Sequence, residues 1–355
     1  MATMTLSAIC NENVTACTPV GSDLNNACIT WDATLKLPPL PGDSINIGVA
    51  GGYAGITGGK LILAGGANFP DGFPWTGAKK IWHRDLYVFD PGKNTWEIFE
   101  NFLPLPIAYG VSITIPSGVL MIGGNNNNGR LDTVWLLTIE NGKPRINNDR
   151  YPSLPFPLSN AAGALIDNYV YLAGGAAGVG KEEEASHTFL RLDLDHPEDG
   201  WEELLPWSGP TLGYSVAAGA NHKFYLFGGR DFGKDKVTAI CTDGYEYDPK
   251  KNLWEKLDIE FSVMAGTAVT LNNKIYFFGG VDKILPTDPF HPGFPRVLRE
   301  YDPISGRIQE ISESPAPVAV TTTAVLASDK TIYIVSGEIR PGIRTPVVLQ
   351  CRVKQ

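Results

Sequence analysis

Apolar residues along this chain occur in short runs that come in pairs, and each pair is followed by two small residues, usually glycines. One example is Leu61-Ile62-Leu63-Ala64 followed by Gly65-Gly66, and another is Phe224-Tyr225-Leu226-Phe227 followed by Gly228-Gly229. Apolar runs of about four to eight residues bounded by glycine-rich turns are typical of short, buried β-strands. The pattern therefore predicts a chain built from β-hairpins.

The same phrase occurs six times: small residues, an apolar strand, a turn, a second apolar strand and the closing pair. Successive closing pairs are roughly 50 to 60 residues apart. The six pairs are Gly65-Gly66, Gly123-Gly124, Gly174-Gly175, Gly228-Gly229, Gly279-Gly280 and Ser336-Gly337. A third apolar run follows each pair, and fourth strands are predicted around Trp96, Trp201 and Trp254. Four strands in a repeat of this length are typical of the blades of kelch-type β-propellers.

The sixth unit runs out of chain after its third strand. We expect residues 31–38 to supply the missing fourth strand, because pairing the two ends of the chain closes the ring without a free edge. The predicted fold is all-β: a six-bladed kelch-type β-propeller that forms a single domain over residues 29–355, with blade 6 completed by residues 29–41. Residues 1–28 are polar and aperiodic and are predicted to be a poorly structured tail.

The composition of the chain argues against several classes of function. The chain has 355 residues, 43% of them hydrophobic, which is enough for a well-buried core. Its net charge of −9 argues against nucleic acid as a partner. No apolar run approaches the roughly 18 residues that would span a membrane. The 5 histidines are scattered without ligand spacing, so the sequence predicts neither a metal nor another cofactor.

The cysteines bear on location. Cys10, Cys17 and Cys28 cluster in the N-terminal tail, which favours an oxidising compartment and would allow one disulfide there. Cys241 and Cys351 lie in strand-like runs and are predicted to pack in the core. We therefore predict a periplasmic or otherwise extracytoplasmic protein, with a cytoplasmic location as the alternative. Because no long apolar edge is visible, the chain is predicted to be a monomer.

The repeat also predicts where a binding site lies. In a four-stranded meander, the loop after the second strand and the crossover into the next blade lie on the same face. Residues that directly follow the closing pairs should therefore share a rim with residues that precede the first strands. The candidate binding residues on this rim are Asn68, Lys80, Tyr109, Asn125, Arg230 and Arg340.

The loop after the sixth pair concentrates charge, since it contains Glu338, Arg340 and Arg344. Pro341-Gly342 predicts a turn within it, because proline fixes φ and glycine is permissive. Such a turn would bring Glu338 and Arg344 together, and a carboxylate beside an arginine can act as a base or bind a cation. A surface salt bridge that stiffens the loop is the alternative. The place of this loop in the repeat favours a functional site.

Three phrases resemble the N-acetylneuraminate epimerase (sialic acid mutarotase) family, and the resemblance covers residues 30–355. They are Gly48-Val49-Ala50-Gly51-Gly52-Tyr53-Ala54-Gly55-Ile56, Ala108-Tyr109-Gly110-Val111-Ser112 and Gly337-Glu338-Ile339-Arg340-Pro341-Gly342-Ile343-Arg344-Thr345. In the periplasmic members the Gly-Glu-x-x-Pro-Gly-x-Arg phrase comes before the Gly-Val-Ala-Gly-Gly phrase. Here it comes after, an order that resembles the cyclically permuted branch of the family.

The resemblance implies an isomerase of carbohydrate metabolism that interconverts the α and β anomers of free sialic acid, with Glu338 and Arg344 as catalytic residues. Opening the sugar ring requires that the anomeric hydroxyl lose a proton and that the ring oxygen gain one. Glu338 would transfer a proton, and Arg344 would either bind the sugar carboxylate or tune Glu338. Ile107 stands where the periplasmic relatives have arginine, so Arg230 or Lys80 would compensate, or the substrate differs.

Two other functions remain open at this point. The first is a non-catalytic kelch propeller that binds a glycan or a protein through the same rim, since a fold does not determine an activity. The second is a mutarotase or epimerase for another acidic or N-acetylated sugar. Convergence of Glu338 and Arg344 in the central depression would favour an enzyme over a binding module.

Overall fold

The computed structural model describes residues 28–179, 184–233, 239–286 and 291–354. Six antiparallel sheets of four strands each form the blades of a β-propeller, so the predicted all-β, six-bladed architecture is confirmed. Two 3₁₀ helices, Pro74–Thr76 and Pro197–Asp199, are the helical elements in this part of the chain. Within the same ranges, no helix has the length and apolar character that crossing a membrane requires.

The first three blades follow one another along the chain, and each is a simple meander. Blade 1 consists of Tyr53–Thr57, Lys60–Ala64, Leu86–Asp90 and Thr95–Phe99. Blade 2 consists of Val111–Ile115, Gly118–Ile122, Val134–Glu140 and Lys143–Asn147. Blade 3 consists of Ala162–Ile166, Tyr169–Ala173, Phe189–Asp193 and Trp201–Glu203.

The remaining blades repeat this order. Blade 4 consists of Val216–Ala220, Lys223–Phe227, Gly244–Asp248 and Leu253–Lys256. Blade 5 consists of Thr267–Leu271, Lys274–Phe278, Val297–Asp302 and Arg307–Glu313. Blade 6 consists of Ala324–Leu326, Thr331–Val335, Val348–Lys354 and the N-terminal strand Cys28–Asp32. The first strands of neighbouring blades contact one another all the way round, which places them at the axis.

The two ends of the described chain meet in blade 6, as predicted. Cys28–Asp32 pairs with Val348–Lys354, and Trp31 lies opposite Cys351. The strand begins at Cys28, three residues before the predicted start at position 31. Asp32 pairs with Gln350, and further along the chain Lys36 pairs with Val347. Residues 1–27, which include Cys10 and Cys17, lie outside the described ranges.

Four short β-ladders lie on the face of the propeller that carries the closing pairs. Three are hairpins that directly follow these pairs in blades 1, 2 and 6, and the fourth joins the entry and exit of blade 3. They are Ala67–Asn68 with Ile81–Trp82, Asn125–Asn126 with Gly129–Arg130, Glu338–Arg340 with Ile343–Arg344, and Leu158–Ser159 with Ala176–Ala177.

Apolar side chains fill the spaces between adjacent blades. Ile62 and Val88 of blade 1 pack with Met121 and Leu137 of blade 2, for example. Tyr53 is fully buried there and donates a hydrogen bond from its hydroxyl to the Gly123 carbonyl at 2.6 Å. Burial raises the pKa of Tyr53. Because each sheet is covered on both faces, its second strand is buried along most of its length, which explains the continuous apolar runs in the sequence.

A closed ring of backbone hydrogen bonds joins the six blades at the axis; we call it the axial ring. Its members are Gly51, Tyr109, Asn160, Tyr214, Ala265 and Thr321, each located shortly before a first strand. The N–H of each member donates to the carbonyl of the previous one at 2.6 to 2.9 Å, and Gly51 donates to Thr321 to close the circle. All six have positive φ, between 46° and 68°. Residues other than glycine rarely adopt this conformation, so the ring is a costly and specific feature.

Candidate active site

The charged hairpin of blade 6 forms the turn that its sequence predicts. Glu338 lies opposite Arg344 in the ladder, and Pro341 and Gly342 form the turn between them. Gly342 has φ of +76°, and its N–H donates a hydrogen bond to Glu338 Oε1. A Cβ atom at this position would lie 2.5 Å from Cγ of Pro74. Glycine is therefore required both by the backbone and by the neighbouring chain.

The guanidinium group of Arg344 contacts three different parts of the chain. Its Nη1 atom lies 3.0 Å from Glu338 Oε1 as an ion pair. Its Nε donates to the Ala67 carbonyl at 3.2 Å, and its Nη2 donates to the Tyr109 hydroxyl at 3.4 Å. The Arg344 side chain is 4% exposed and the Glu338 side chain 17% exposed. The pair is thus inside the molecule, where removing either charge would leave the other uncompensated.

The Glu338 carboxylate faces a central cavity of about 250 Å³ on the propeller axis. Side chains from five of the six blades line it, and four members of the axial ring, Tyr109, Asn160, Tyr214 and Thr321, are among them. A smaller cavity of about 100 Å³ continues along the axis and shares these four residues. The central cavity is the one place in the described ranges where the predicted residues Glu338, Arg344, Lys80, Tyr109 and Asn125 come together.

Lys80 provides positive charge to the cavity wall. Its Nζ lies 4.9 Å from the ring centroid of Tyr109, 5.6 Å from that of Trp82 and 5.9 Å from that of Phe69. Within the described ranges the ammonium group forms no ion pair. Aromatic faces attract a cation but do not neutralise it as a carboxylate would. The Lys80 charge is therefore available to an anion that enters the cavity.

The insertion of blade 1 forms the wall on this side. Ala67–Asn68 pairs with Ile81–Trp82 at its base, and the 3₁₀ helix Pro74–Thr76 lies at its far end. Pro74 packs on Gly342 of the blade 6 hairpin. Trp82 donates from Nε1 to Asn125 Oδ1 at 3.0 Å, which fixes the amide of blade 2. The insertion thereby connects the hairpins of blades 6 and 2.

Three predicted binding residues lie outside the cavity lining. Asn68 is buried, donates to the Gly48 carbonyl at 2.9 Å, and faces a second cavity of about 290 Å³ beside blade 1. Arg340 does not line the central cavity and donates to the His291 carbonyl at 3.4 Å. The Arg230 guanidinium lies 5.3 Å from the ring centroids of both Tyr214 and Phe232, behind a residue that lines the cavity.

The sequence is similar to those of known proteins. The family model for N-acetylneuraminate epimerases matches residues 15–146 and 151–292.

The chain belongs to the N-acetylneuraminate epimerase family.

Individual epimerases of this family are similar over part of their length. The N-acetylneuraminate epimerase of Yersinia enterocolitica serotype O:8 / biotype 1B is 27% identical over 241 residues, which are 58% of this chain and 58% of the relative. The enzyme of the same name from Pasteurella multocida (strain Pm70) is 31% identical over 228 residues, 56% of this chain and 57% of the relative. The chain therefore spans 57 to 58% of the length of these curated relatives.

The family match includes Lys80, Tyr109 and Asn125 and ends before the hairpin that carries Glu338 and Arg344. Position 107, where the periplasmic relatives of this family were expected to have arginine, is a fully buried isoleucine here. Its side chain packs in the core between blades 1 and 2, and its carbonyl accepts the Gly66 N–H at 2.8 Å. Ile107 therefore lies in the core and does not line the cavity.

Sequence reasoning missed three residues of the cavity lining: Phe69, Pro74 and Thr321. Thr321 could have been found from the repeat, because it occupies the same place before a first strand as Tyr109 and Tyr214. Phe69 and Pro74 belong to the blade 1 insertion, which has no counterpart of equal length in the repeat, so no pattern pointed to them.

Proposed function

We propose that this protein is a mutarotase that interconverts the α and β anomers of free N-acetylneuraminate. The observation that carries the proposal is the Glu338 carboxylate, which is ion-paired to Arg344 and faces a polar cavity on the propeller axis. Membership of a family named for N-acetylneuraminate epimerase supports the choice of sugar.

Glu338 acts as a proton-transfer group in this proposal. Ring opening removes the proton from the anomeric hydroxyl, breaks the bond between C2 and the ring oxygen, and protonates that oxygen. The product is an open-chain ketone whose C2 is planar, and closure on its other face gives the other anomer. A carboxylate fixed by an ion pair and by the Gly342 N–H is held in one orientation for this transfer.

The contacts of Arg344 support one of its two predicted roles. Its guanidinium is ion-paired to Glu338 and donates hydrogen bonds to Ala67 and Tyr109, and its side chain is only 4% exposed. Bidentate binding of a second carboxylate requires a pair of N–H groups that the sugar can reach, and a side chain this buried offers little access to them. We therefore assign Arg344 to positioning Glu338. The carboxylate of the sugar then binds Lys80, whose charge is available in the same cavity.

A cyclically permuted order of the family phrases is part of the proposal. A family match that stops at residue 292 agrees with a phrase that has moved to the C-terminal end. The extracytoplasmic location and the monomeric state remain predictions from the sequence.

The test uses sialic acid freshly released as the α anomer and followed by proton NMR. We expect conversion to the β anomer well above the spontaneous rate, and loss of that acceleration in Glu338→Gln. Line broadening of the sugar without acceleration would instead indicate a glycan-binding module. Acceleration with another acidic or N-acetylated sugar, and none with sialic acid, would place the substrate elsewhere in that class.

A further inference from the structure

Ring opening moves two protons in opposite directions on two oxygens bonded to the same carbon, so a second proton-transfer group beside Glu338 would let both transfers proceed together. Glu338 serves one of them. The partner must line the same cavity, carry an exchangeable proton and lie close to Glu338 without being bound to it. Of the side chains that line the central cavity, Tyr109 fits these conditions.

The hydrogen bonding of Tyr109 makes its phenol a donor towards the cavity. Arg344 Nη2 donates to the phenol oxygen at 3.4 Å, and a guanidinium can only donate. The oxygen is thus the acceptor in this bond, and its own O–H remains to be used elsewhere. No acceptor for that O–H occurs in the described ranges, although the side chain lines both axial cavities.

Arg344 also sets the spacing between the two groups. Adjacent nitrogens of one planar guanidinium contact Glu338 Oε1 and the Tyr109 hydroxyl. The carboxylate and the phenol are therefore held side by side at a separation that the rigid fork determines. Such an arrangement matches the anomeric hydroxyl and the ring oxygen, which are bonded to the same carbon atom. The carboxylate can act on one of these oxygens and the phenol on the other.

The backbone fixes Tyr109 in place. The residue has φ of +63°, donates its N–H to Gly51 and accepts the N–H of Asn160, each at 2.8 Å. A Cβ atom at Gly51 would lie 2.5 Å from Cδ1 of the tyrosine ring, so glycine is needed for the ring to pack there. An aromatic residue in this conformation is uncommon, and strained residues of this kind cluster at functional sites.

We infer that Tyr109 is the second catalytic residue and acts as the acid of ring opening, an inference that rests on the proposed mutarotase function. As Glu338 takes the proton of the anomeric hydroxyl, Tyr109 gives its phenol proton to the ring oxygen and the bond between C2 and that oxygen breaks. The charge that develops on the phenol oxygen lies beside Arg344, and the Lys80 ammonium lies over the same ring. After rotation about the bond between C2 and C3, the ring oxygen attacks C2, its proton returns to Tyr109, and Glu338 protonates the ketone oxygen.

The experiment measures the rate of α-to-β conversion of N-acetylneuraminate by wild type and Tyr109→Phe, with the spontaneous rate subtracted. General acid–base catalysis contributes roughly 10²- to 10⁴-fold, so we expect kcat to fall by about that factor while KM changes little. The control is Tyr87→Phe, which removes a phenol that is also hydrogen-bonded, to Asn46 at 3.2 Å, outside the central cavity. This control should keep the wild-type rate.

The outcomes distinguish the role of Tyr109 from the mutarotase activity itself. Acceleration by wild type with an unchanged kcat in Tyr109→Phe would overturn the role of Tyr109 and leave the mutarotase proposal standing. A raised KM with an unchanged kcat would mean that Tyr109 only binds the sugar, which also overturns the inference. If wild type itself does not accelerate the reaction, both proposals fail together.

Discussion

Two hairpins of this propeller occupy the same place in different blades and differ in what they can do. In blade 2, Asn125 lies opposite Arg130, and in blade 6, Glu338 lies opposite Arg344. Each hairpin directly follows a closing pair. The first residue of each also pairs with the residue that precedes the axial ring, Ala108 for Asn125 and Val320 for Glu338.

The arginines of the two hairpins take different directions. Arg130 donates from Nε to the Gly178 carbonyl of blade 3 at 2.8 Å, whereas Arg344 forms an ion pair within its own hairpin. Asn125 accepts a hydrogen bond from Trp82 and has no ionisable proton, so blade 2 contributes shape and polarity to the cavity. The repeat thus sets the location of a side chain, and the carboxylate of Glu338 in place of the amide of Asn125 supplies the proposed acid–base chemistry.

The largest expected effect comes from giving blade 6 the amide of blade 2. Glu338→Gln keeps the shape of the side chain and removes its proton transfer, so kcat for mutarotation should fall by about 10²- to 10⁴-fold. The matched control is Glu310→Gln, which affects an exposed glutamate that pairs with Arg299. Steady-state rates by NMR measure both, and a wild-type kcat in Glu338→Gln would contradict the assignment.

Replacing each arginine by lysine sharpens the comparison. Arg344→Lys keeps the charge but cannot hold Glu338, Ala67 and Tyr109 at once, because a lysine lacks the planar fork. A displacement of about 1 Å in a catalytic group costs on the order of 100-fold, and we expect a loss of that size in kcat. Arg130→Lys should stay within about twofold of wild type. Equal losses in the two variants would refute the difference between the hairpins.

Lys80 lies between the two hairpins and allows binding to be separated from proton transfer. A hydrogen bond to a charged group is worth about 1.5 to 3 kcal/mol, so Lys80→Met should raise KM by about 10- to 100-fold and leave kcat nearly unchanged. Lys79→Met, at the exposed neighbouring position, serves as the control. Substrate titrations distinguish the two parameters; a fall in kcat alone would argue against an anion-binding role.

The turn glycines provide a smaller, structural test. Gly342 and Gly142 have nearly the same φ, +76° and +77°, but a Cβ at Gly342 would meet Pro74 whereas nothing lies within 4 Å at Gly142. Both alanine variants should lose about 1 kcal/mol of unfolding free energy from the backbone. Gly342→Ala should lose more, by about 1 to 3 kcal/mol, because the packing against the insertion is overfilled. Denaturant unfolding measures the difference, and equal losses would mean that the insertion moves aside.

The smallest effect should be a pH dependence of stability at His83, which supports the insertion and touches neither hairpin. Burial lowers the pKa of His83 from its ordinary value of 6.5, and nearby Asp85 opposes this shift. The unfolded chain then binds more protons below pH 6.5 than the folded chain, so the free energy of unfolding should fall as pH decreases through that value. His83→Gln should flatten this part of the curve. An unchanged slope in the variant would assign the pH dependence to other groups.

Local sequence patterns predict much of the architecture but only part of the site. The closing pairs predict six blades because each pair ends a hairpin of neighbouring residues. The side-chain directions of Asn68 and Arg340 could not be predicted from the pattern. Asn68 directly follows Ala67 in a strand, so its side chain points to the face opposite that of Ala67. Arg340 would share the face of Glu338 in a regular strand, but a register shift between them turns it towards His291.

The way Arg344 reaches across the molecule has a consequence for biosynthesis. It binds Ala67 and Tyr109, which are made early, from a position near the C-terminal end of the described chain. The cavity therefore has no complete wall until translation has passed the last blade and that blade has closed on the first. A truncated or stalled nascent chain would contain most of the propeller but have none of the proposed activity. Activity would therefore show that synthesis has passed the blade 6 hairpin.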